Sequence, residues 1–89
     1  MAQVDFSNLT YEWTALSDII TVENDVTYYI QNRGADTLVA LESSSEPSEN
    51  AQGGTMILPY KVAEYKKGSQ DLYLRALNRS CAVNISSEG

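Results

Sequence analysis

Few side chains in this 89-residue chain have chemistry to offer. There is one cysteine, Cys81, and no histidine. Histidine is the usual general base near neutral pH and the commonest zinc ligand, so both roles lose their first candidate. A cysteine nucleophile needs an activating base and an electropositive, partly exposed setting. Cys81 instead opens "CAVNISS" in phase with Val83 and Ile85, and reads as a small buried hydrophobe. The carboxylates gather in turn sequences such as Glu23-Asn24-Asp25 and Gly34-Ala35-Asp36, where Asp and Asn satisfy local backbone groups. The first of these offers oxygens to a calcium ion but lacks a twelve-residue calcium loop. The Gly53-Gly54 pair has neither the lysine nor the following helix of a phosphate loop, and reads as a release of the chain back into a strand. The expectation is a protein that is not an enzyme, with no catalytic residue, no cofactor and no metal ligand.

The aromatic residues point to contact chemistry instead. Six tyrosines stand against one phenylalanine, Phe6, and one tryptophan, Trp13. Tyrosine suits surfaces that are apolar at one end and wet at the other, as interfaces are. Tyr28 and Tyr29 are adjacent in an alternating segment, so they face opposite sides and only one of them enters the core. Residues 43–55, "SSSEPSENAQGGT", are small, polar and acidic, and a loop of that length inside a compact domain tends to be functional when ordered. The expected partner contacts are Phe6, Tyr11 and Trp13 near the N-terminus, the outward member of the Tyr28/Tyr29 pair, Glu46, Pro47 and Glu49 in the polar loop, and Tyr60 at the Pro59-Tyr60 corner.

Period-two patterning supplies the elements that position these residues. "VTYYIQN" puts Val26, Tyr28 and Ile30 on one face. "TLVALE" is apolar at nearly every position, as in a strand covered on both sides. The five-residue turn "NRGAD" (32–36), which shares Asn32 with the first segment, has Gly34 at its centre, a residue that adopts positive φ at little cost, and predicts a hairpin. "DLYLRAL" and "CAVNISS" alternate in the same way, and the short link "NRS" predicts a second hairpin. "TMILP", "VAEYK" and "DIITV" read as further strands, and "YEWTAL" as a strand or an ordered arm. About seven short strands give an all-β fold, an antiparallel sandwich or partly open barrel in one domain. Residues 1–17 form an N-terminal arm and first strand, expected to touch a partner. Residues 18–89 form the β-sandwich domain with its polar loop at 43–55.

A chain this short buries little of its surface, and one cysteine allows no internal disulfide, so its stability margin is thin without a partner. The net charge of −6 argues against nucleic acid, whose affinity comes mainly from phosphate neutralisation. Residues 1–60 carry nine carboxylates against Arg33 alone, a net −8, while residues 61–89 carry a net +2. That asymmetry fits either a solvated surface or an acidic face for a basic partner. No stretch has the ~20 apolar residues of a membrane helix. The opening "MAQVDFSNLT" has neither the basic start nor the apolar core of a secretory signal, so synthesis in the cytoplasm is expected.

"YYIQNRGADTLVALESSSEPS", the Gly-Gly break into "MILPY", "KKGSQDLYLRA" and the closing "CAVNIS" together resemble the small virion-associated proteins of tailed bacteriophages, over about residues 26–87. That family's chains have a strand ending in Ile-Gln-Asn, an apolar strand followed by "SS-x-P", and a "G-x-x-LYLRA" strand. The resemblance implies a β-sandwich without enzymatic activity, located in the virion after synthesis in the bacterial host. Its partners would be other virion proteins of the capsid, neck or tail, with many copies or a homo-oligomer, and with no membrane or nucleic acid contact. Two other functions are compatible with the residues: a carbohydrate- or receptor-binding adhesin module of a tail or head fibre, and an acidic inhibitor of a host enzyme.

Overall fold

The computed structural model describes residues 3–48, 51 and 53–87. Apolar–polar alternation becomes alternation of buried and exposed side chains on eight strands: β1 (Gln3–Thr10), β2 (Thr14–Ala15), β3 (Thr27–Asn32), β4 (Leu38–Ser43), β5 (Thr55–Ile57), β6 (Val62–Lys66), β7 (Asp71–Ala76) and β8 (Ser80–Ser87). They make two antiparallel four-stranded sheets, in the orders β1-β8-β3-β6 and β2-β7-β4-β5. The sheets pack face to face as a sandwich. Tyr28, Ile30, Val83 and Ile85 from one meet Leu38, Leu72, Leu74 and Ala76 from the other.

Both expected hairpins are overturned. The strands they were to join, β3 with β4 and β7 with β8, lie in different sheets, so the links at 33–37 and 77–79 cross from one layer to the other. The reason lies in two polar side chains. Asn32, fully buried at the end of β3, donates from Nδ2 to the carbonyls of Asp36 (2.7 Å) and Ile57 (2.9 Å), and its Oδ1 accepts from Gly34 N (3.0 Å). The Asp36 carboxylate accepts from the backbone N–H of Thr37 (2.8 Å), Asn78 (2.9 Å) and Arg79 (2.8 Å), and from Asn78 Nδ2 (3.0 Å). The two crossings are thereby locked to each other. Gly34 is not at positive φ; a Cβ there would come within 3.0 Å of Ala82 N, so the glycine permits close approach of the link to β8.

A second correction concerns "DIITV". Residues 16–18 form a 3₁₀ turn, with Ile19 N and Ile20 N both bonded to Leu16 O at 3.0 Å, and 19–26 is irregular. The turn drops Leu16 and Ile20 into the core together. Tyr28 belongs to the same buried cluster, and its hydroxyl accepts from Glu23 N (2.8 Å) and donates to Thr21 O (3.4 Å), supplying partners that a strand ladder would have given.

The N-terminal segment is not a free arm. β1 pairs with β8 over Gln3–Phe6 and again at Leu9 and Thr10, and a one-residue bulge between Phe6 and Leu9 shifts its register. The extra residue changes the parity, so Val4 and Phe6 before it and Leu9 after it all face the core.

Candidate functional site

The structure scatters the expected contact residues. Tyr28 is buried, which makes Tyr29 the outward, half-buried member of that pair. Phe6 is half-buried and packs against the core. Glu49 lies outside the described residues. The remaining residues fall at two separate places, a cleft and an edge.

The cleft unites residues distant in sequence. Tyr11, Glu12, Trp13, Glu46 and Pro47 line about 340 Å³ where the β1–β2 link meets the polar loop. Trp13 is only 8% exposed. Its Nε1 donates to Ser48 O at 3.0 Å, and the Arg75 guanidinium lies 4.5 Å from the centre of its ring. Arg75 Nη2 in turn donates to Ala51 O at 3.2 Å. Two side chains on the outer face of the β2–β7 pair thus hold the polar loop, which covers Val39 on the outer side of β4. This explains why "TLVALE" is apolar at both parities. It also shows that the loop is held to its own domain at Ser48 and Ala51, and that Trp13 is engaged inside the chain. Tyr11 remains exposed at the rim.

The edge is the second place, where the expected Tyr60 is joined by three residues that were not expected as contacts. Met56, Leu58, Tyr60 and Val62 are 63%, 56%, 67% and 56% exposed. They run from β5, the edge of one sheet, through the corner into β6, the edge of the other. The corner is a turn: Lys61 N bonds Leu58 O at 3.0 Å, Pro59 fills its second position, and Tyr60 in the third has φ 65°. Positive φ at that position belongs to a type II turn, where glycine or asparagine is the usual occupant. A tyrosine there costs on the order of 1–2 kcal/mol in backbone strain. Tyr60 N bonds Asn32 O at 2.7 Å, so the corner is pinned to the buried asparagine and the conformation is imposed. The Tyr60 side chain makes no hydrogen bond among the described residues and points to solvent. A period-two count of "MILPYKV" reveals the stripe of alternate apolar residues, but which parity faces out depends on the turn.

The titratable groups are arranged for structure. Burial pushes the Cys81 thiol up to about 11, with the Asp36 charge adding to the effect, and its Sγ lies 3.3 Å from Asp36 O. It is a poor nucleophile at neutral pH. Partial desolvation raises Asp36, but its hydrogen bonds from Arg79, Asn78 and Thr37 together outweigh that and hold the carboxyl below 3.8. Burial raises Tyr65, and the charges of Glu42 and Asp71 act in the same direction. Lys67, buried at the end of β6, donates from Nζ to Gly68 O (2.8 Å) and Asn24 Oδ1 (3.0 Å), tying the 23–26 link to the sheet. No three His, Cys, Asp or Glu side chains converge to hold a metal among the described residues, and no helix there is long and apolar enough to cross a membrane. No protein-family profile, curated protein or solved structure matches this chain.

Proposed function

We propose that this protein is a non-enzymatic binding module that joins a larger protein assembly through the Met56–Leu58–Tyr60–Val62 edge. One observation carries the reading: a two-thirds exposed tyrosine occupies a left-handed position where glycine or asparagine would relieve strain. A side chain kept at a cost to the fold, amid three other exposed apolar residues, is accounted for by a partner that covers it. A small domain also gains stability by mass action when bound, which offsets its thin margin.

The assembly we propose is the virion of a tailed phage, with this chain as an accessory subunit present in many copies; the sequence resemblance supports that identification. The test is recovery of the chain with purified tailed-phage particles. The natural protein should sediment with them, and Tyr60→Asn should stay folded but remain in the supernatant. A natural chain that never enters the particle fraction, or a Tyr60→Asn variant that binds unchanged, overturns the reading.

The cleft supports a second reading, a glycan-binding adhesin module, because it presents the Tyr11 ring beside Glu12 and Glu46. The Arg75 guanidinium already occupies one face of Trp13, which leaves Tyr11 as the stacking surface. A glycan array separates the two readings: signal lost in Tyr11→Ala and kept in Tyr60→Asn assigns binding to the cleft.

A further inference from the structure

We infer that two copies of this chain pair along β6 in one register, with Glu64 of each opposite Lys66 of the other and the two Tyr65 residues on the two-fold axis. The inference takes its setting from the multi-copy reading above, but a different set of groups carries it.

Among the described residues the sandwich has four edge strands, β1, β6, β2 and β5. β2 has two residues and β5 three, too few for a stable ladder. β1 is interrupted by its bulge, a feature that turns an edge away from pairing. β6 has five residues in unbroken register with β3. Asn32 N bonds Lys61 O and Lys67 N bonds Val26 O, which fixes the parity of that ladder. Odd-numbered residues of β6 therefore turn their backbone groups toward β3, while Val62, Glu64 and Lys66 present N–H and C=O outward. Such a row of outward groups is a template for another strand.

The side chains choose among the antiparallel registers open to a second copy. Hydrogen-bonded pairs must join even-numbered residues to even-numbered ones. Centring on Glu64 sets two carboxylates face to face, and like charges directly opposite are destabilising. Centring on Ala63 sets each Glu64 against Val62 of the other copy, where its charge finds no partner. Centring on Tyr65 sets Glu64 against Lys66 twice by symmetry. It also brings the two Tyr65 rings together at a non-hydrogen-bonded position, where side chains approach most closely. Tyr65 lines a groove of about 260 Å³ between β5 and β6, together with Ile30, Ala40, Ile57 and Leu72. The second copy's Tyr65 would close the mouth of that groove. The result is a continuous sheet running from β1 of one copy through both β6 strands to β1 of the other.

Sedimentation velocity over a concentration series, with circular dichroism to confirm folding, tests the register by charge swapping. The natural chain should dimerise, and more weakly at high salt. Glu64→Lys and Lys66→Glu should each weaken the dimer by about tenfold or more, since each turns two attractive pairs into repulsive ones. The double swap should restore the natural affinity. A chain that is monomeric at every concentration, or a dimer indifferent to the swaps, overturns the inference. Tyr65→Cys provides a second readout. The only natural thiol, Cys81, is buried, so mild oxidation should give a covalent dimer through position 65, and a monomer after oxidation counts against the register. Leu58 and Tyr60 are untouched in all these variants, so binding to phage particles can fail or persist independently of dimerisation.

Discussion

The polar loop at 44–54 and the apolar corner at 58–61 lie on either side of β5, and each does the opposite of what its composition suggests. The loop has the residues of a flexible linker, yet Trp13 and Arg75 tie it to the outer face of β7 and β4. The corner has the residues of a core, yet Leu58 and Tyr60 stand in solvent on a strained turn. The difference lies in who supplies the partners. Backbone carbonyls of a polar loop find donors within the chain, whereas the corner's apolar side chains have lost their core to the crossing between sheets. Composition reports what a segment can bond to, and topology decides whether a partner is within reach.

The largest effect is expected at Trp13, the loop's main anchor. Trp13→Ala removes a buried ring, a hydrogen bond to Ser48 and the cation–π contact, and should cost about 3–4 kcal/mol in denaturant unfolding. If the loop depends on this anchor, hydrogen exchange at 44–48 should rise toward that of free chain, while amides of β3 and β8 stay protected. Unchanged protection in the loop would show that its hold lies elsewhere.

Gly54 tests the other end of the loop. It sits at φ +93°, and a Cβ there would clash with the carbonyl oxygen of Ala40. Gly54→Ala should cost about 2–3 kcal/mol, from left-handed strain plus displacement of the β4–β5 pairing. A loss under ~0.5 kcal/mol would mean that β5 readily shifts to make room.

Acid titration of unfolding sharpens the contrast between the tied crossings and the untied corner. Asp36 has a folded value below 3.8, so the folded chain binds fewer protons there than the unfolded chain does. Its contribution is intact above 3.8 and is lost as pH falls through the lower folded value. Asp36→Asn should therefore flatten the acid limb of stability against pH. An acid limb identical to that of the natural chain would show that Asp36 does not carry it.

The smallest effect is expected at the corner itself, and its sign is the informative part. Tyr60→Asn should raise stability by about 0.5–1 kcal/mol, because asparagine tolerates the left-handed conformation better. A loss of stability would mean that the tyrosine supports the fold, and would remove the argument that its exposure serves a partner.

Much of the architecture was legible in the sequence because its cause is local. Side chains alternate across a strand with period two, so Tyr28, Ile30, Val83 and Ile85 declared their buried face, and "TLVALE" declared that both of its faces are covered. Cys81 declared itself a hydrophobe by the same phase, and the Gly53-Gly54 break marked the return into β5. Absence of histidine and of a second cysteine was equally plain. Which strands are neighbours was not legible. A five-residue link around a glycine serves a hairpin and an inter-sheet crossing equally well, and the choice at 33–37 was made by Asn32 and Asp36 bonding to groups 25 and 42 residues away. The burial of Trp13 and the docking of the polar loop rest on contacts 35 and 24 residues apart, and the exposure of Tyr60 on a corner pinned to Asn32. Local sterics wrote the strands into the sequence. Long-range satisfaction of buried polar groups, which no window of residues contains, decided how the strands are joined and which tyrosine faces the water.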